Sequence, residues 1–299
     1  MAARILSFVK NEKHEYIGAV KCLASKPSQT ANVYAGAKSR FDDFQISHIV
    51  NTDFIHYVGF FQAWHRMFIA QYEKDLRNLC CYTGAQPYWG NGVFIDISNW
   101  TNVTRQVSGR TGGGCVSDAP FANGQFEVHA GPGTSTAYNP RCLTRDIAPE
   151  YGISKLNSTM VNWTLEAKDF FEFDQRVQGG VSADSQGYHG GGHLAVGGSL
   201  GEMGDMYSSP GDPIFWLHHT NVDRLWDKWQ RQDWPARKSD ISGPDTQYAY
   251  PYNFFGDKDY KNITLAYVMD FGNLLPGRRY VTVEEAMDTQ GERLCYTYE

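Results

Sequence analysis

A mainly α-helical domain is the fold class this sequence predicts, and three observations point to it. Three segments carry apolar side chains at helical spacing, the stretches between them are rich in Gly and Pro, and no internal repeat or low-complexity tract marks a second unit. In residues 12–23 the apolar positions are Tyr16, Ile17, Val20 and Leu23. Residues 60–79 repeat the spacing more strongly, with Phe61, Trp64, Phe68, Tyr72, Leu76 and Leu79. Residues 214–230 repeat it through Phe215, Val222, Leu225, Trp226 and Trp229. A fourth helix is expected to include 160–174 or to run into the region of His189. Residues 84–145 contain Pro87, Gly112-Gly113-Gly114 and Gly131-Pro132-Gly133, and residues 233–262 contain Pro235, Pro244 and Pro251; both read as loops with at most short strands. A strand or two is expected within 279–298.

Bulk properties narrow the function classes. A net charge of -6 argues against a nucleic-acid footprint, which needs a basic face. No window reaches the roughly 18 consecutive apolar residues that span a bilayer. The 14% aromatic content suits a large core and a pocket for a flat ligand. Six cysteines at 22, 80, 81, 115, 142 and 295 form no CxxC, which disfavours a thiolate-built metal site and is compatible with three disulfides. N-glycosylation patterns at Asn99, Asn102, Asn157, Asn162 and Asn262 add to an expectation of a secreted glycoprotein. The start Met1-Ala2-Ala3-Arg4 opens no apolar leader, so an intracellular location is the alternative.

The chemistry is carried by histidine. Six of the nine fall into two groups of three: His48, His56 and His65, then His189 and His193 with one member of the pair His218-His219. His189 and His193 are spaced to share one helical face and point at one ion. His218 and His219 flank the apolar stripe of their helix, so spacing does not decide which turns inward. Asp223 follows His219 by one turn, where a carboxylate would orient an imidazole through its second nitrogen. Three imidazoles without a carboxylate suit Zn, Cu, Fe or Ni, and an iron oxygenase would more often include a carboxylate. Two such sets favour a dinuclear centre with metals roughly 3.5–4 Å apart. Gly190-Gly191-Gly192 between His189 and His193 is poor helix material, and is explained if ligation holds the turn while small residues leave room for substrate.

Several local sequences carry a family resemblance. HYVGFFQAWHRMFIAQYEKDL (56–76) resembles the CuA region of tyrosinases, catechol oxidases and molluscan hemocyanins, and DPIFWLHHTNVDRLWDKWQ (212–230) resembles their CuB region. QPYW (86–89), NPRCLTRD (139–146), GHLAVGG (192–198) and the Tyr296-x-Tyr298 motif are similar to fungal polyphenol oxidases, so the likeness runs from about residue 14 to the end. It implies a four-helix bundle core around a dicopper site, with long irregular loops and a few short strands. His48, His56 and His65 would hold CuA, and His189, His193 and His219 would hold CuB. Phe215 matches the aromatic beside the coppers. Residues 1–299 would form one catalytic core domain without a C-terminal shielding domain.

The implied activity is oxidation of o-diphenols to o-quinones by O2, with weak o-hydroxylation of monophenols and small phenols as the partners. A hemocyanin-like O2 carrier and a zinc-loaded relative without oxidase activity are the alternatives, and no oligomeric state is indicated. The chain departs from the family pattern at three places. Phe54 stands where many members have a cysteine that forms a thioether. Gly90-Asn91 follows PYW where Asp is usual. Gly190 follows His189 where some members that hydroxylate monophenols have Asn, which leaves Glu172, Gln178 or Gln186 as candidates to orient a water. Leu194, after His193, would make the neighbouring wall apolar. Cys115–Cys142 is expected as one disulfide, with Cys22 paired to Cys80 or Cys81 and Cys295 to the other.

Overall fold

The computed structural model describes residues 3–4, 10–89, 111–117 and 120–299. The three periodic segments form helices α1 (Lys10–Leu23), α3 (Phe61–Cys80) and α8 (Ile214–Gln232). A further long helix, α2 (Arg40–Ile55), was not signalled by periodicity because polar residues are buried on it and apolar ones exposed: Arg40, Asp42, Asp43 and Gln45 are as enclosed as Phe41, Phe44 and Ile49, whereas Val50 and Phe54 are exposed. Its start is fixed by a capping box, in which the Ser39 side chain accepts from Asp42 N at 3.2 Å and Asp42 Oδ2 accepts from Ser39 N at 2.8 Å. Buried Arg40 then ties α2 across the core. It donates to Asp75 of α3 at 2.7 Å, to Asp43 at 3.2 Å and to the Leu274 carbonyl at 2.8 Å.

The expected fourth helix is divided. Short helices α4 (Pro149–Lys155), α5 (Ser158–Leu165) and α6 (Phe170–Gln178) precede a separate α7 (Tyr188–Gly197). The break inside 160–174 falls where Asp169 begins a new helix, accepting from Glu172 N at 2.9 Å. Strands are short and paired two by two. Tyr280–Thr282 pairs antiparallel with Val268–Asp270, Met269 opposite Val281, which places one strand in the expected C-terminal stretch. In the loop region Gly114–Cys115 pairs with Thr144–Arg145, and Glu127–Val128 with Arg141–Cys142.

Large aromatic side chains fill the space between α2, α3 and α8. Trp216 of α8 stacks on Tyr72 of α3 with centroids 3.7 Å apart, and meets Phe44 of α2 edge-on at 5.5 Å. Disulfides Cys22–Cys80 and Cys115–Cys142 form, the first joining the ends of α1 and α3. The expected third bridge does not: Cys81 and Cys295 are free and exposed. Cys81 sits just past α3 in a left-handed turn, φ 54°, while its neighbour Cys80 is bonded to Cys22. The sequons at Asn99 and Asn102 lie outside the described residues.

Candidate metal centre

Four elements bring the two histidine groups together. His48 comes from α2, His56 from the residue that ends it, His65 from α3, His189 and His193 from α7, and His219 from α8. In each group of three the ligand atoms lie within 4.8 Å of one another. The groups face each other: the rings of His65 and His219 stack at 4.7 Å, and those of His56 and His189 at 6.0 Å.

Backbone carbonyls set the tautomers. Nδ1 of His48 meets the Tyr207 carbonyl at 2.8 Å, Nδ1 of His56 that of Thr52 at 3.0 Å, Nδ1 of His65 that of Phe61 at 2.9 Å, and Nδ1 of His193 that of Met203 at 2.9 Å. A carbonyl can only accept, so each Nδ1 carries the proton and each Nε2 presents a lone pair. His48 Nε2 and His65 Nε2 are buried without any hydrogen-bond partner. His193 Nε2 lies 3.0 Å from both His189 Nε2 and His219 Nε2. Nitrogens bonded to one ion at about 2 Å stand roughly that far apart, so this donor set fits a metal. Burial above all pushes His56 and His193 down to about 4. Burial and the neighbouring imidazoles hold His48, His65, His189 and His219 well below the ordinary value. All six are therefore neutral near pH 7, the state that ligation requires.

Two phenylalanines wedge the rings. Phe215 stacks on His219 at 4.0 Å and meets His48 edge-on at 5.4 Å, beside the centre as expected. Phe61, read in the sequence only as a helix-face residue, contacts His65 at 4.4 Å and His189 at 4.7 Å. Of the His218-His219 pair, His219 joins the centre. His218 turns away and donates from Nε2 to the His189 carbonyl at 2.7 Å.

Three expectations are corrected. Asp223 does not orient His219, whose Nδ1 is buried without a partner. The carboxylate is instead taken up by Arg66, Tyr296 and Tyr298, which all donate to it. The three glycines of α7 do not share one purpose. A Cβ on Gly191 would stand 2.2 Å from Lys155 Cβ, and one on Gly192 would stand 2.1 Å from the His218 ring, so these two allow helix packing. Gly190 alone of the three lines the cavity. Finally, Glu172 is held at the start of α6 by Lys168 N at 2.9 Å and Arg176 at 2.6 Å, and it does not line the cavity. Phe54 is an exposed side chain, and Gly90-Asn91 lie outside the described residues.

A cavity of about 400 Å³ opens over the histidines, lined by His56, His189 and His193 at its floor and by Gly190, Leu194, Gln178 and Gln186 on its sides. Asp174, which the sequence did not single out, sits behind Gln178. Its carboxylate accepts from Gln178 Nε2 at 2.7 Å and from Tyr252 Oη at 2.8 Å.

Comparison with known proteins places this geometry. A family model for the common central domain of tyrosinase matches residues 38–232. Tyrosinase-like protein orsC of Emericella nidulans is 36% identical over 284 residues, covering 77% of this chain and 73% of that protein. Tyrosinase P of Aspergillus terreus is 32% identical over 97% of this chain and 89% of its own length. The N-acetyl-6-hydroxytryptophan oxidase ivoB of Emericella nidulans is 33% identical over 98% and 90%. Among solved structures, a variant polyphenol oxidase from Thermothelomyces thermophila superposes with a TM-score of 0.83 at 33% identity, covering all of this chain and 88% of that one.

Proposed function

The chain belongs to the tyrosinase family, whose members use a dinuclear type 3 copper centre and O2, and on that premise we propose that it is a polyphenol oxidase converting o-diphenols to o-quinones. His48, His56 and His65 hold CuA on this reading; His189, His193 and His219 hold CuB. The observation that carries it is the pair of facing sets of neutral imidazoles at the floor of an open cavity. When bound, the copper pair activates O2 so that two catechols give two o-quinones and two waters.

The chain's own residues do the positioning. Four carbonyls fix the tautomer and tilt of their imidazoles, and Phe61 and Phe215 hold ring planes that no carboxylate orients. The largely apolar walls exclude bulk water from the floor while leaving a mouth for a phenol. No carboxylate lines the cavity among the described residues. Loss of a phenolic proton is therefore left to water or to coordination, which favours catechols over monophenols. Residues 1–299 act as one catalytic domain in this reading, and the two disulfides support the proposal of a secreted location.

Metal content together with initial rates on 4-methylcatechol tests the assignment. Two coppers per chain with quinone formation are expected. Two coppers without turnover would make the chain an O2 carrier, and zinc in place of copper would remove the oxidase reading.

A further inference from the structure

The cavity extends well beyond its metal-binding floor, and its outer wall is aromatic. We infer that the phenol this site takes is uncharged and carries a second aromatic ring, which packs on Tyr248 and Phe255 at the cavity mouth. The inference rests on the polyphenol oxidase reading and names the substrate class within it.

Size is the first argument. A buried apolar cavity of about 150 Å³ is enough for benzene. The space here is about 400 Å³, within the range that accepts ligands of several rings. A single catechol seated at the histidines leaves most of it vacant.

The wall is the second argument. The segment Tyr248–Phe255 reads YAYPYNFF, and Tyr248 and Phe255 from it line the cavity together with Tyr57, Val181 and Leu194. Tyr248 and Phe255 meet edge-on at 4.9 Å, and Tyr57 packs against Tyr248 at 5.1 Å and against Phe254 at 5.4 Å. This wall is fastened and not a loose flap. Tyr252 donates to buried Asp174 at 2.8 Å, Tyr248 N to the Tyr57 carbonyl at 3.4 Å, and Gln247 Nε2 to the Thr52 carbonyl at 3.4 Å. Tyr248 holds a left-handed backbone, φ 62°, which a tyrosine seldom adopts unless its surroundings impose it. Yet Phe255 leaves 68% of its surface open at the mouth. A second ring would cover that apolar face in the edge or offset geometry that aromatic pairs favour.

Charge is the third argument. No Asp, Glu, Lys or Arg is among the described residues that line the cavity. The polar side chains Gln178 and Gln186 are already engaged, the first with Asp174 and Tyr252, the second with Tyr57 Oη at 3.4 Å. Two charged groups near Tyr248 have neutral partners: Lys258 donates to the Gln247 carbonyl at 3.0 Å, and Asp53 accepts from Tyr207 Oη at 2.7 Å. The carboxylate and ammonium of an amino acid would enter this mouth without partners and lose hydration.

The test compares catechol, 4-phenylcatechol and L-DOPA as substrates of the copper-loaded protein. Calorimetric titration of the copper-free protein with phenol, 4-phenylphenol and L-tyrosine runs alongside. 4-Phenylcatechol should exceed L-DOPA in kcat/KM by about tenfold or more, and 4-phenylphenol should bind more tightly than phenol. Phe255→Ala, a change at an exposed position, should shrink the preference for the two-ring compounds about three- to tenfold in both assays, the worth of one aromatic contact. L-DOPA matching 4-phenylcatechol, or a Phe255→Ala variant with undiminished preference, would overturn the inference. Loss of turnover on all three catechols with two coppers bound would instead refute the oxidase reading, and the binding order would still decide the two-ring inference.

Discussion

His218 donates from Nε2 to the backbone carbonyl of His189 at 2.7 Å, so the neighbour of one proposed copper ligand holds the backbone of another. Its ring also lies against Gly192, where any Cβ would collide with it. The two members of the pair thus divide the work: His219 faces the proposed metal centre, and His218 fastens α7 to α8. Replacing His219 with Ala should remove one copper and abolish turnover, because both ions must act on one O2. His218→Ala should keep both coppers and lose about 1–3 kcal/mol of stability, the cost of an unmade buried hydrogen bond. Metal analysis and urea denaturation of the two variants distinguish these outcomes. Full copper and activity in His219→Ala, with loss of both in His218→Ala, would reverse the assignment.

Asp223 joins α8 to α3 and to the C-terminal tyrosines. Arg66 donates to it, packs over Trp226 with its guanidinium 3.7 Å from the ring, and also reaches the Ala286 carbonyl at 2.9 Å. Removing the carboxylate leaves a buried guanidinium short of its counter-charge. Asp223→Ala should therefore cost about 3–5 kcal/mol, against roughly 1.5–3 kcal/mol for Tyr298→Phe, which deletes a single hydrogen bond to a charged group. Chemical denaturation of the copper-loaded proteins measures both, and equal losses would contradict this division.

The same residues show what the sequence made legible. Amphipathic helices α3 and α8 were plain because one face of each is polar, and the histidine groups were plain from spacing and neighbouring sequence. Helix α2 was hidden because buried Arg40, Asp42, Asp43 and Gln45 and exposed Val50 and Phe54 erase the 3.6-residue period; its Ser39-x-x-Asp42 cap was the one local signal. Asp223 stands one turn from His219 in the sequence, and helical spacing says nothing of Arg66, Tyr296 and Tyr298 arriving from elsewhere. Nor does spacing distinguish a glycine that admits a ligand, Gly190, from one that admits a neighbouring ring, Gly192. Both depend on contacts between segments distant in the chain.

Asp174 gives a pH signature. Burial raises its carboxyl to about 7, against the opposing hydrogen bonds from Tyr252, Gln178 and Gln62. The unfolded value is near 3.9, so between about pH 4 and pH 7 the folded protein keeps a proton that the unfolded chain has lost. The stability from this group is fully present below pH 4, falls as pH rises to 7, and is level above it. The slope is at most about 1.4 kcal/mol per pH unit. Asp174→Asn cannot titrate, so the difference in denaturation free energy between the copper-loaded wild type and this variant should change across that window. A difference independent of pH from 4 to 7 would show that Asp174 is ionised throughout.

Cys81 and Cys295 are free and exposed, whereas the other four cysteines are paired. Alkylation of the unreduced, unfolded chain should add two labels, with peptide mapping placing them at these positions. No label at either would restore the third bridge that the even cysteine count led us to expect. With Phe54 in the thioether position, the intact mass should show the loss of four hydrogens and no more.

The balance between the two phenol reactions turns on Gly190. Hydroxylating a monophenol begins by removing a phenolic proton of reference pKa about 10, which calls for a positioned base or water. Gly190 supplies no side chain, and Gln178 is already committed: its Oε1 accepts from Tyr57 N at 2.5 Å while its Nε2 donates to Asp174 at 2.7 Å. Gln186 is the remaining amide at the cavity wall, and it occupies the space beside Gly190, where a new Cβ would stand 1.6 Å from its Oε1. That atom is the end of a flexible side chain, so Gly190→Asn is accommodated when Gln186 swings aside. A catechol makes fewer demands, since both hydroxyls can engage the metals and no ring C–H need be attacked. The unmodified protein should oxidise 4-methylcatechol readily and 4-methylphenol slowly, after a lag. Gly190→Asn should raise the ratio of 4-methylphenol to 4-methylcatechol turnover, and adding Gln186→Ala should raise it at least as far by clearing the space. Equal rates on 4-methylphenol and 4-methylcatechol in the unmodified protein would show that proton removal does not limit this site.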